Sequence, residues 1–173
     1  SCVATNCDEP AKTIADMGRV VDLTDKVEAD GRVRWDVPAG DWTILRFVCA
    51  NHGQRLIVPS PNSGGPMIDF FDPRATEFHL RHIVTAILNE LGRSSFEGTS
   101  FRTMEFDSME LDGFTPWTAS MADEFRRRTG YPVVRLLPLL AGWTLADQGT
   151  QERFLTDWRK TVSDRLIESH YLT

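Results

Sequence analysis

Tyrosine, cysteine and histidine are scarce in this chain, at two, three and four among 173 residues. The cysteines, Cys2, Cys7 and Cys49, are odd in number, and their spacing fits neither a zinc site nor a disulfide framework. A Cys2–Cys7 bridge is open but not demanded, and Cys49, at the end of an apolar pattern, reads as a small core residue. His79 and His82 sit three apart without a Glu or Cys partner at a recognised interval, so they read as solvated surface residues and no metal ligand is assigned. No apolar run approaches the roughly 18 residues of a membrane span, so no membrane partner is expected. Positive charge is in the minority, with 19 Lys and Arg against 25 Asp and Glu and a net charge of −6. That balance disfavours nucleic acid, which demands a basic face. The one basic cluster, Arg126-Arg127-Arg128, falls late in an expected helix, where it complements the helix dipole. The start, Ser1-Cys-Val-Ala-Thr-Asn-Cys-Asp8, has no basic region followed by an apolar one, so no signal peptide is expected in this chain.

What is present is the composition of a soluble globular protein, 41% hydrophobic and 25% charged, with length for one ordinary domain. Residues 1–18 carry no periodic signal. Val20–Leu23 reads as a short strand, Asp30-Gly31 as a hairpin turn, and Val33–Val37 as an alternating strand. Trp42–Cys49 is a longer strand, apolar enough to be covered on both faces. Together these predict a meander of the kind found in β-sandwiches. Trp35 and Trp42 fit sheet packing better than a sugar-stacking platform, since strands are generally rich in aromatics. Residues 51–66 hold Pro59, Pro61, Gly64, Gly65 and Pro66 and read as a linker or long functional loop. The apolar period then changes from two to 3.6. This divides the chain into partial domains at 1–58 and 59–173.

Asp72-Pro73 is an N-cap followed by proline at the first helical position, and Leu80, Ile83, Val84, Ile87, Leu88 and Leu91 space out one apolar helical face ending at Gly92. Thr115-Pro116 repeats the cap signal before a second helix with Trp117, Met121 and Phe125 on its inner stripe and Gly130 at its end. Val133–Leu140 is apolar but broken by Pro138, so an irregular or short-strand segment is expected. From about Thr150 a long helix places Phe154, Leu155, Trp158, Val162 and Leu166 on one side.

Between the first two helices lies the most informative stretch, Phe101-Arg-Thr-Met-Glu-Phe-Asp-Ser-Met-Glu-Leu-Asp-Gly113. It reads as a buried strand entering a loop dense in carboxylates. In α/β proteins the loop after a strand's carboxyl end is where ligands bind. Glu110 ranks first as a catalytic group because it stands past the strand end, within reach of a cleft. The plain alternative is that such acids cap helices and hold turns. Glu105, inside the strand, fits a buried or structural role better. Asp69 and Asp72 lie at an earlier expected strand end and could line the same cleft, with helix capping the plain alternative and the favoured role for Asp72. The resulting fold class is α/β, a partial (β/α) TIM-like barrel preceded by antiparallel β-sandwich strands. Because a full barrel takes roughly 250 residues, the chain is expected to be an internal piece of a larger enzyme.

Four phrases, in order, resemble glycoside hydrolase family 106, the α-L-rhamnosidases. They are Trp35-Asp-Val-Pro-Ala-Gly-Asp-Trp-Thr-Ile-Leu-Arg-Phe47; Asp107-Ser-Met-Glu110; Glu124-Phe-Arg-Arg-Arg-Thr-Gly-Tyr131 with Leu136-Leu-Pro-Leu-Leu140; and Glu152–Thr161 leading to Glu168-Ser-His-Tyr171. Met109 stands where the family commonly has an aromatic residue, and Gly113-Phe-Thr-Pro-Trp117 replaces a Gly-Gln-Asn-Trp stretch.

The resemblance implies inverting hydrolysis of a terminal α-L-rhamnosyl linkage, with calcium assistance. It further implies a rhamnose-containing glycan as partner and a secreted or periplasmic parent enzyme. Inversion needs two carboxyl groups separated by roughly 6.5–9.5 Å, one of them held protonated. Glu110 matches the motif position as the acid. Asp107 and Asp112 would raise its pKa by like-charge repulsion or help hold a cation, and they join Trp117 as expected substrate contacts. The second carboxylate is expected beyond residue 173. A non-catalytic carbohydrate-binding or structural fragment is the alternative.

Overall fold

The computed structural model describes residues 12–51, 53, 55, 59–62, 64–105 and 115–173. Its regular elements begin with β1 (Thr13–Ile14) and continue with α1 (Pro73–Glu90), α2 (Met121–Thr129) and the one-turn α3 (Leu137–Leu140). The two-residue β2 (Thr144–Leu145) and α4 (Gln148–Leu166) follow, and α4 runs directly into a π-helical turn, Ile167–Tyr171. Short 3-10 turns occupy Met17–Arg19, Thr24–Lys26 and Val134–Leu136.

Local chemistry explains where the helices start and stop. Asp72 caps α1 as its sequence predicts, its carboxylate accepting from Arg74 N, with proline in the first turn. Gly130 ends α2 in the left-handed region at φ 81°, which costs glycine little. Asp147 caps α4 through Thr150 N, so the helix starts at Gln148, two residues ahead of the start expected near Thr150. The Thr115-Pro116 signal does not open α2. That helix begins at Met121 behind Ser120, leaving Thr115–Ser120 as an irregular approach. Val133–Leu140 is helical rather than strand-like, because Pro138 falls in the first turn of α3, where its missing N–H costs nothing.

The core lies between α2, α4 and the 133–145 segment. Met121 and Phe125 are wholly buried, and Phe154 and Trp158 answer them from α4. Phe125 sits at the centre, with ring centroids 5.1 Å from Tyr131, 5.7 Å from Phe154 and 6.1 Å from Trp158. β1 joins this body by pairing in parallel with β2, Thr13 beside Thr144 and Ile14 beside Leu145. Two residues are too few for a period-two signal, which is why residues 1–18 read as featureless.

The expected partial barrel with sandwich strands is overturned. Among the described residues the β structure is one two-stranded parallel sheet, with isolated bridges at Val27–Val33 and Arg55–Pro66. The Asp30-Gly31 turn forms, with Gly31 at φ 82° and Gly31 N donating to Glu28 O at 2.8 Å. The ladder it should seed stops at Val27–Val33. Residues 34–49 and 101–105 form no strand. Alternation marks two faces, but a strand also needs a neighbour for its N–H and C=O groups, and among the described residues no second strand lies alongside. Cys49 is correspondingly exposed rather than part of the core.

Candidate functional site

An open cleft of about 870 Å³ separates the amino-terminal ribbon, residues 20–49, from the helical body. Four of the chain's five tryptophans, Trp35, Trp42, Trp117 and Trp143, line it. Trp35 and Trp42 pack edge to face at 5.0 Å and 88°, and Trp42 Nε1 donates to Pro38 O at 2.9 Å. Opposite them, half-buried Trp117 stacks on Trp158, centroids 5.7 Å apart and planes 24° apart. Trp158 belongs to the α4 core, so Trp117 is held against a fixed support. Two cations tie the ribbon down. Lys12 Nζ donates to Thr43 Oγ1 at 3.3 Å, and Arg135 donates to Val20 O at 2.9 Å and also to Met17 O.

Of the residues expected in the site, Trp117 is the one this structure places, and it lies on the cleft wall next to Thr115, the first described residue after the acidic loop. Glu110, Asp107 and Asp112 lie outside the described residues. Glu105 is exposed, not buried within a strand. Asp69 is half-buried and bonds Phe71 N at 3.0 Å, and Asp72 caps α1, so both act in local backbone turns. The side-chain contact with Arg74 holds Asp72 below its ordinary pKa. His79 and His82 are exposed, as expected. Trp143 was not singled out from the sequence. It stands in the short connection between α3 and β2, where no periodic pattern marks a face.

Among the described residues no three His, Cys, Asp or Glu side chains gather into a metal-binding group. Also among the described residues, no helix is long and apolar enough to cross a membrane.

An ion network fixes Phe71 and the start of α2 to α4. Arg165 Nε donates to Phe71 O at 2.9 Å, its Nη2 to Ser120 Oγ at 3.4 Å, and its Nη1 lies 3.7 Å from Glu124 Oε1. Arg128 reaches Glu124 at 3.4 Å, Asp164 at 3.3 Å and also Glu168. Burial pushes the Glu124 carboxyl up, but Arg127, Arg165 and Arg128 outweigh it and leave its pKa below the usual value. Indoles on a supported wall can hold the flat apolar face of a sugar ring, and the network keeps the approach to α2 in one arrangement.

The family model for alpha-L-rhamnosidase, glycoside hydrolase family 106, matches residues 2–173. The chain belongs to this alpha-L-rhamnosidase family. A Formosa agariphila protein provisionally named beta-glucuronidase is 32% identical over 163 residues, a match that takes in 94% of this chain and 14% of that protein. A rhamnosidase structure from Novosphingobium sp. PP1Y superposes with a TM-score of 0.71 at 29% identity, over 90% of this chain and 15% of that one. The chain thus spans about one-seventh of the length of these glycosidase relatives. Membership of the glycoside hydrolase family, expected from four short phrases, holds over essentially the whole sequence.

Proposed function

We propose that this chain is part of an inverting α-L-rhamnosidase, with Glu110 as the acid that protonates the departing glycosidic oxygen. The observation that carries the reading is the family match over residues 2–173, a range that contains Asp107-Ser-Met-Glu110, the phrase that resembles the family's Asp-Ser-aromatic-Glu motif. Trp117, seven residues beyond Glu110 and fixed on Trp158, supplies a wall for the sugar ring. In this reading Asp107 and Asp112 keep the Glu110 carboxyl protonated by like-charge repulsion. A second carboxylate, roughly 6.5–9.5 Å away, activates a water on the opposite face of the ring. The glycosidic C–O bond breaks as the water oxygen bonds to the anomeric carbon. The acid's proton goes to the leaving oxygen, and the water's proton goes to the base.

The test uses the complete parent enzyme. It releases rhamnose from an aryl α-L-rhamnoside, and Glu110→Gln lowers that rate by orders of magnitude with little change in melting temperature. Undiminished turnover removes Glu110 from the site. The name of the Formosa agariphila relative favours a second substrate, so an aryl β-glucuronide is assayed alongside. Hydrolysis of the glucuronide alone would replace rhamnose as the substrate sugar. Sugar binding that is lost in Trp42→Ala and untouched by Glu110→Gln, with no hydrolysis, would instead mark a binding module.

A further inference from the structure

The sheet packing expected of Trp35 and Trp42 has no sheet to serve, since residues 34–49 form no strand. The two indoles instead line the cleft from the ribbon, while Trp117 and Trp143 line it from the helical body. The protein itself holds each ring. Trp117 stacks on Trp158 of α4, and both Trp117 and Trp143 pack against the buried core. Trp143 N donates to Pro138 O at 3.1 Å, directly after Gly142 turns the chain at φ 86°, a left-handed conformation that suits glycine. On the ribbon, the Trp42 indole N–H is engaged by Pro38 O, so its recognition surface is the ring face, and Trp35 meets it edge to face at 5.0 Å.

Trp35, Trp117 and Trp143 are half-buried and Trp42 is 37% exposed, so all four rings keep contact with solvent. Asp41 and Thr115 stand among them, one a hydrogen-bond acceptor and the other both donor and acceptor. An aromatic wall with a few polar groups suits a pyranose, whose C–H face lies on a ring while hydroxyls at its edge meet the polar groups. Rings already supported lose little freedom when a ligand arrives, so ordering them costs little of the contact energy. The cleft, at about 870 Å³, lies toward the upper end of the roughly 300–1,000 Å³ range for drug-sized ligands, more than a single sugar ring occupies.

We infer that this cleft is a leaving-group subsite of the parent glycosidase, which binds the pyranose next to the one released. That direction rests on the proposed hydrolysis of a terminal linkage. Beyond a terminal sugar the glycan continues on the leaving-group side alone, so a cleft that takes more than one ring extends that way. The position agrees, because Thr115 and Trp117 lie on its wall and follow the acidic stretch with Glu110 in the sequence. Trp143 on the body and Trp42 on the ribbon are the contacts to the second ring.

The test uses the complete parent enzyme and a disaccharide of α-L-rhamnose linked to glucose. Oxidative footprinting, read by peptide mass spectrometry, reports each indole in the unsubstituted protein. Trp42 and Trp143 oxidise in the free enzyme and are protected by the disaccharide. Trp143→Ala raises KM for the disaccharide about tenfold with kcat within about twofold, and Trp143→Phe restores most of the loss. Indoles unreactive in the free enzyme mean that another part of the parent chain fills the cleft, and they overturn the subsite. Oxidation that the disaccharide leaves unchanged also overturns it, as does a fall in kcat at constant KM. Should Trp143→Ala not fold, the footprint of the unsubstituted enzyme decides. The subsite and the hydrolytic reading fail separately. Hydrolysis that Glu110→Gln abolishes, with both indoles unprotected, keeps the chemistry and removes the subsite. Protection without hydrolysis leaves a pyranose site in the cleft and overturns its leaving-group role together with the hydrolytic reading.

Discussion

Phe125 on α2 and Ile44 on the amino-terminal ribbon are both large apolar residues in strongly patterned segments, yet the first is wholly buried and the second is 66% exposed. α2 and α4 lie against each other, so each apolar stripe covers the other. Among the described residues the ribbon has no such partner. Eight of the large apolar residues on the described surface, from Val21 to Val48, fall within it. α1 stands between these cases, anchored at Thr76 and half-covered along the rest of its stripe. The contrast shows that periodicity identifies the face an element offers, while burial depends on a second face that matches it.

That contrast breaks most visibly under truncation. Phe125→Ala removes the ring shared by Tyr131, Phe154 and Trp158 and should cost about 3–5 kcal/mol. Ile44→Ala, which takes away a mostly exposed side chain, should stay within about 0.5 kcal/mol. Urea midpoints of the two variants read the difference directly, and similar losses would mean the ribbon is packed as tightly as the body.

Electrostatics sharpen the same comparison. Arg128 is mostly buried and shared by three carboxylates, whereas ribbon pairs such as Arg34–Glu28 have an arginine 79% exposed. Arg128→Met should cost about 1–3 kcal/mol, since it leaves partly buried acids without their cation. Arg34→Met should cost less than about 1 kcal/mol. The pH dependence has a definite sign. Glu124 and Asp164 are held below their ordinary values of 4.5 and 3.8, so their contribution is present above those values and is lost as the solution is made more acidic. Thermal melts of the unsubstituted chain should therefore fall off below about pH 4.5 more steeply than those of Arg128→Met.

The helical body was legible in the sequence because its signals are local. Asp72 with Pro73, Gly130, and the Phe154–Trp158 spacing each fix an end or a face within a few residues. The barrel and sandwich were not, because a sheet depends on a neighbour that alternation cannot name. Val33, Trp35 and Val37 alternate cleanly and still form no ladder beyond Val33. The cleft was legible in part. Trp117, named from the sequence as a substrate contact, stands on its wall, and ligand binding is the test of that role, while Trp143 arrives there through the fold of the 133–145 segment. Glu110, Asp107 and Asp112 rest on the family motif, and their test is chemical.

The smallest effect probes a single hydroxyl at the edge of the packed region. Tyr131 is half-buried between α2 and α4, donates to Asp157 Oδ2 at 2.8 Å, and carries the Arg153 guanidinium 5.1 Å above its ring. Burial, aided by the Asp157 bond, pushes its pKa up to about 12. Tyr131→Phe keeps the ring against Phe125 and removes only the hydroxyl, so it should cost about 1 kcal/mol, the net worth of one hydrogen bond. The native state retains this proton at a pH where the unfolded chain has lost it. The hydroxyl's stabilisation is therefore intact below pH 10 and drains away between 10 and about 12. Tyrosinate absorbance should show a late-titrating ring in the unsubstituted chain that Tyr131→Phe removes. A late ring that survives the substitution would place Tyr131 outside the packed body and move the boundary between the two regions to α4.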